Sequence, residues 1–212
     1  MFSSLECEAS PRRWTGCSYN GCMALRSTVY RVDLLVSDLD RHVYAQHALT
    51  LARHPSETEQ RLMVRLLAFA LHADEALTFG RGLSAEGEPD LCRLDATGVI
   101  DLWIDVGLPD EKEVRKACGR ARQVVVVAYG ARRAEAWWVD NAAAFARLAN
   151  LSVFLLSDAD AAALQSLAAR SIKLTCTLQE GHVWLATEAA TVEITPERKL
   201  AANMDSRNQP FI

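Results

Sequence analysis

The stretch GVIDLWIDVGLPDEKEVRKAC, residues 98–118, decides how this chain is read. Val99 to Val106 has the length and apolar character of a buried strand, yet it carries two carboxylates, Asp101 and Asp105. Residues two apart in a strand share a face, so Asp101, Trp103 and Asp105 point one way and Leu102, Ile104 and Val106 the other. An ionised carboxylate in an apolar layer is costly unless a cation, a metal ion or water stands opposite. Two arrangements meet that condition. In one, the strand lies near an edge and its acids are solvated or paired with arginines such as Arg93 or Arg115. In the other, their face looks into a cleft where the acids do chemistry. Pro109, Asp110 and Glu111 then open a helix that carries Arg115 and Lys116 later on, the charge order a helix dipole favours.

Downstream, RQVVVVAYG (122–130) is a solid β-branched run, the mark of a strand covered on both faces. RRAEAWWVDNAAAFARLAN (132–150) reads as a helix, LSVFLLSD (151–158) as a strand and DADAAALQSLAAR (158–170) as a short helix capped by Asp158. Residues 171–195 alternate again, with a hairpin near Gln179-Glu180-Gly181. Upstream, LCRLDATG (91–98) forms a hairpin with the acidic strand through the turn residues 95–98. Before it, HPSETEQRLMVRLLAFALHADEAL (54–77) is a helix, with Ser56 and Glu59 at capping-box spacing. Leu62, Met63, Leu66, Leu67, Phe69 and Ala70 gather on one face of that helix, and Glu57, Arg61, Arg65 and His72 on the other. STVYRVDLLVSD (27–38) and RHVYAQHALTLARH (41–54) alternate with period two and form a first hairpin.

Strand and helix alternate through the middle of the chain, which implies a partly parallel sheet with helices on both faces. The hairpins add antiparallel strands, so the expected class is α/β with a mixed β-sheet and flanking helices. Residues 23–198 make one domain in this reading. Residues 1–22, without periodicity, are a disordered or non-native N-terminal extension, and 199–212 a C-terminal tail.

Composition narrows the function. Of 212 residues, 50% are apolar and 24% charged, and the net charge is −4, so no global field draws the chain onto nucleic acid or anionic lipid. No apolar run approaches the roughly 20 residues of a membrane helix. Cys7, Cys17, Cys22, Cys92, Cys118 and Cys176 form no CxxC, and the last three sit in apolar segments, the usage expected of free thiols in a reducing, cytoplasmic setting. His42, His47, His54, His72 and His182 have no zinc or iron spacing, and there is no GxGxxG, P-loop or GxSxG.

The acids remain. Asp90 follows Pro89 and stands fifteen residues before Asp105, on the adjacent strand of the same hairpin. Two carboxylates so placed can share a hard divalent ion, Mg²⁺ or Mn²⁺, whose other ligands are water and phosphate oxygen. A Pro-Asp opening one strand and an acid ending the next resemble the PD-(D/E)xK nuclease-like fold. That family's acid-x-Lys appears here as Asp105-Val106-Gly107, with the lysine absent from the strand. Lys116, and after it Lys112, on the following helix are the candidates to replace it.

A wider resemblance runs from about Met23 to Leu185. LTLARHPSETEQRLMVRLLAFALHADEALTFGRGL (49–83), IDLWIDVGLPDEKEVRKAC (100–118) and NLSVFLL (150–156) together are similar to the YaeQ family of small bacterial proteins. The resemblance implies a restriction-endonuclease-like core with extra antiparallel hairpins. It puts the candidate site at Asp105, Asp101, Asp90, Glu57 and Lys116, with a metal ion on Asp105, Asp90 and Asp101. Two functions follow: a Mg²⁺- or Mn²⁺-dependent phosphodiesterase acting on nucleic acid, or a non-catalytic module that binds protein or nucleic acid, with a loose link to transcription elongation. Arg115, Arg120, Arg122, Arg132 and Arg133 could add phosphate contacts or form solvated helix faces.

Overall fold

A long antiparallel hairpin opens the fold, built from the two period-two runs. In a computed structural model that describes residues 27–80 and 87–202, β1 (Thr28–Asp38) and β2 (Val43–Arg53) pair without a break from Thr28↔Arg53 to Asp38↔Val43. Residues 1–22 and 203–212 lie outside this description, and with them Cys7, Cys17, Cys22 and most of the expected tail. Far along the chain, β8 (Ser171–Gln179) pairs with β1 in parallel, and β9 (His182–Ala186) and β10 (Thr191–Ile194) follow as hairpins. The first sheet therefore has the order β10-β9-β8-β1-β2. Tyr30, Val32, Leu34 and Val36 are buried on its inner face, while Val29 and Leu35 stand exposed on the outer one, the alternation of a sheet covered on one side only.

A second sheet holds the acidic strand. Its order is β11 (Glu197–Leu200), β7 (Leu151–Leu156), β6 (Ala121–Tyr129), β5 (Ile100–Val106), β4 (Leu91–Leu94), β3 (Leu77–Phe79). β5, β6 and β7 are parallel, linked by α2 (Glu111–Cys118) and α3 (Ala131–Phe145). β4, β3 and β11 join antiparallel. The α/β class with mixed sheets and helices is as expected, but the strands divide between two sheets instead of one. β3 and β11 are additions to the sequence reading, and β11 carries ordered structure past residue 198.

Helix α1 (Glu59–Leu71) explains the division. With α4 (Asp158–Ser166) it packs between the inner face of the first sheet and one face of the second, in a core shared by Val32, Leu34, Leu66, Phe69, Ile104 and Leu164. The other face of the second sheet packs on α2 and α3 through Trp103, Val126, Val153, Val114, Ala134 and Phe145. The layers run sheet, helices, sheet, helices. A helix between two sheets has no dry and wet sides, and every residue of α1 from Leu62 to Leu71 is buried, Arg65 among them. The polar face expected for α1 is therefore an interior face. Its cap also differs: Thr58, not Ser56, is the N-cap and accepts from the Arg61 amide at 3.1 Å. Ser56 bonds His54 instead, and Glu59 accepts from the Tyr30 hydroxyl at 2.8 Å.

Candidate functional site

Ligands of open α/β sheets collect beyond the carboxyl ends of parallel strands, where neighbouring connections diverge. β5 is such a strand, with a parallel neighbour on one side and an antiparallel one on the other. Beyond its end the chain turns at Gly107 into α2. Gly107 has φ +119°, a conformation that side chains rarely adopt, although a Cβ there would meet nothing within 4 Å. The glycine is thus required by the turn rather than by crowding. A cavity of about 410 Å³ opens at this point, with Asp90, Trp103, Asp105, Gly107, Lys112 and Lys116 in its wall.

Asp105 is the titratable centre of the cavity. Burial pushes its carboxyl up to about 7, and the negative charges of Asp90 and Glu113 add to the rise. The nearby Trp103 indole N–H opposes the shift without completing a hydrogen bond: Nε1 is buried and has no partner. Near neutral pH Asp105 is therefore poised to exchange a proton or to accept a cation.

Asp90 is arranged differently. It is 3% exposed, and its oxygens accept from Arg61 Nη2 at 2.7 and 2.8 Å and from the Val106 amide at 2.8 Å. Its own amide donates to Ile104 O at 3.0 Å, which fixes the segment before β4 against β5. Glu57 precedes α1 instead of lying in its first turn. It accepts from Arg61 at 3.1 Å and Arg65 at 3.0 Å and is absent from the cavity wall. Arg65 also stands 3.7 Å from Asp90 and lies over the Phe79 ring. Two acids and two arginines thus form one buried network behind the cavity.

The expected residues separate accordingly. Asp105, Asp90, Lys112 and Lys116 meet at the cavity, Glu57 supports it through Arg61, and Asp101 is elsewhere. Asp101 pairs with Arg93 at 2.6 Å, and Arg93 reaches on to Asp74 at 3.1 Å, so this acid follows the arginine-paired arrangement. Of the other cations, Arg115 pairs with Glu111 and Arg122 with Asp95. Arg120 lies over the Trp103 ring and donates to Gly87 O at 2.9 Å. Among the described residues, no group of three or more His, Cys, Asp or Glu side chains is placed to hold a metal ion. The cavity wall holds four acids, Glu88, Asp90, Asp105 and Glu113, without bringing three of them together.

Sequence reasoning missed Arg61 as the clamp on Asp90 and the Trp103 indole as an unpartnered donor in the cavity wall. The Glu57–Arg61 spacing was visible as an i,i+4 pair. The link from Arg61 to Asp90 spans 29 positions and has no local signal.

Comparison with known proteins agrees with this architecture. "The Crystal Structure of YaeQ Protein from Xanthomonas axonopodis pv. citri" superposes with a TM-score of 0.80 at 51% identity, covering 82% of this chain and 98% of that one. The YaeQ protein from Pseudomonas syringae gives 0.79 at 34% identity, over 84% and 98% of the two chains. Uncharacterized proteins YaeQ of Salmonella typhi and Escherichia coli (strain K12) are 49% and 45% identical over 81% of this chain and 95% of their own lengths. Among the described residues no helix is long and apolar enough to cross a membrane. The profile of the family described as YaeQ protein matches residues 23–196, and the chain belongs to the YaeQ family.

Proposed function

We propose that the cavity at the end of β5 hydrolyses phosphodiester bonds of nucleic acid with the help of Mg²⁺ or Mn²⁺. The observation that carries this reading is the meeting of Asp105 and Asp90 with Lys112 and Lys116 around one opening. The donor set fits a hard divalent ion in part. Among the described residues no ion pair forms on Asp105, and burial raises its proton affinity. Asp90 spends lone pairs on Arg61 and Val106, but an ionised carboxylate offers about four. Two carboxylates, with water and substrate oxygen, make a normal Mg²⁺ shell. Such an ion supplies a water of lowered pKa and charge stabilisation at the phosphorus.

The chain's own residues do the rest. Lys112 and Lys116, one helical turn apart, hold the phosphate oxygens. Lys116 takes the place of the lysine that Gly107 displaces from the strand motif. Asp105, once ionised, accepts the proton of the attacking water or orients it. Arg61 holds the Asp90 carboxylate in position through two hydrogen bonds.

A second reading rests on how the acids are spread. Glu88, Asp90, Asp105 and Glu113 all line the opening, but among the described residues no three of them converge on one point, and Asp90 is already shared with Arg61; the fold would then serve as a non-catalytic module whose lysines hold a phosphate of a nucleic-acid or protein partner. Calorimetric titration of Mn²⁺ and Mg²⁺ into the chain and into Asp105→Ala separates the two. The nuclease reading expects binding at about millimolar or tighter, lost in the variant, together with Mn²⁺-dependent cleavage of bis(p-nitrophenyl) phosphate or of an oligonucleotide. Absence of both binding and cleavage in the parent chain overturns it and leaves the module.

A further inference from the structure

The four sheet edges are unequal. β10 and β11 have four residues each and β3 has three, lengths too short to template another strand. β2 has eleven, and among the described residues no strand pairs with its outer edge. Natural edges are blunted by lysine, proline, bulges or inward charges. β2, VYAQHALTLAR, has no lysine, proline or bulge: its pairing with β1 is unbroken, His47 is turned inward and buried, and the one inward charge, Arg53, stands at the last position, over the Tyr30 ring. Its outward side chains are Tyr44, Gln46, Ala48, Thr50 and Ala52, all exposed.

We propose that β2 is a dimerisation edge, pairing antiparallel with β2 of a second copy about a two-fold axis at Ala48 to make one continuous ten-stranded sheet. A two-fold interface must match its own strand reversed. The register that pairs the whole of β2 sets Ala48 against Ala48 of the partner subunit, Gln46 against Thr50 of the partner subunit and Tyr44 against Ala52 of the partner subunit. No like charges meet, and the residues at the axis are small. The rows across the outer face also match. Val29 is the β1 neighbour of Ala52, so the ring of Tyr44 of the partner subunit would lie across Ala52 toward Val29. Tyr44 and Val29, 64% and 50% exposed, are otherwise unexplained apolar surface on this face. On the inner face, half-buried Leu49 and Ala45 would be covered by His47 and Leu51 of the partner subunit. A ladder of this length, about 36 Å, gives on the order of ten interstrand hydrogen bonds. It buries an area at the lower end of specific interfaces, so the expected dimer is a micromolar one.

Sedimentation equilibrium of the full chain from about 1 to 200 µM tests this. The mass should rise from monomer toward dimer across the range. Ala48→Lys sets two ammonium groups face to face at the axis and should weaken association at least about tenfold, while the unfolding of the dilute monomer stays unchanged because position 48 is exposed. The pair Gln46→Glu with Thr50→Lys sets each new acid opposite a new base of the partner, and should retain the dimer while making it salt-sensitive. A parent chain that stays monomeric overturns the proposal, whether the edge is free or covered by another part of the chain. A dimer indifferent to Ala48→Lys overturns it equally, because that dimer would use another surface.

Discussion

Asp105 and Asp101 sit four positions apart on one strand, and their fates differ because of what faces each. Arg93 reaches Asp101 from β4, beside a register shift at Leu94, and makes it an ordinary ion pair. Among the described residues no arginine is paired with Asp105, and burial raises its carboxyl to about 7. The sequence showed that these acids needed an answer but not which would receive a cation, because side-chain reach across a sheet edge is invisible in strand alternation. The energetic consequence is specific. A carboxyl whose folded pKa lies above its unfolded value favours folding while protonated, and that advantage is lost as pH rises through the folded pKa. Asp105→Asn removes the ionisable group. The variant should match the parent near pH 4 and gain on it steadily up to pH 7. Above pH 7 it should be more stable by about 2 to 4 kcal/mol. Urea unfolding at pH 4.5, 6 and 8 reads this directly. A constant difference between the two proteins would mean that Asp105 is ionised throughout.

At the scale of elements, α1 departs most from its sequence reading. Its apolar residues were legible, but a helix with Arg61, Arg65 and His72 on one side reads as a surface helix. The second sheet that covers this side comes from distant parts of the chain. His72, at the C-cap, is a clear case: burial lowers its pKa to about 3, and the charges of Arg41 and Arg93 push the same way. The sign here is opposite to that of Asp105. Below about pH 6.5 the unfolded chain takes up a proton at this residue that the folded chain refuses, so stability present above pH 6.5 is lost as pH falls toward 3. The Nε2 atom of His72 is buried without a partner, so an apolar replacement leaves no new polar group stranded there. His72→Leu should lose up to about 3 kcal/mol less than the parent between pH 7 and pH 4, measured as urea midpoints. Because Asp105 and His72 tilt the same pH interval in opposite directions, the parent profile will be flatter than either variant's. Parallel profiles for parent and His72→Leu would show that the ring is hydrated and free to protonate.

For the whole molecule, the sequence revealed the hairpins and the strand-helix alternation of the middle. It did not reveal that β8 pairs in parallel with β1, 140 positions away, because a contact between remote segments leaves no periodic trace. That pairing makes the first sheet independent of the second and leaves α1 and α4 to join them. The polar part of this junction is the Glu57–Arg61–Arg65–Asp90 network, which anchors the start of α1 to the segment between β3 and β4 and so holds the cavity's rear wall. Arg65 is its interior member, 1% exposed, with a buried acid on either side. Removing one partner of a buried charge set costs more than the set contributes, because the acids left behind remain desolvated. Arg65→Met keeps most of the stem volume and should cost about 3 to 5 kcal/mol at pH 7. Glu57→Gln in the same background should recover part of that loss, since it removes one stranded charge, and the double-mutant cycle should show coupling above about 1 kcal/mol. Chemical denaturation of the four proteins supplies the cycle. Additive costs would mean that the two residues stabilise the junction separately, and the cavity's rear wall would then rest on apolar packing and the Arg61–Asp90 pair.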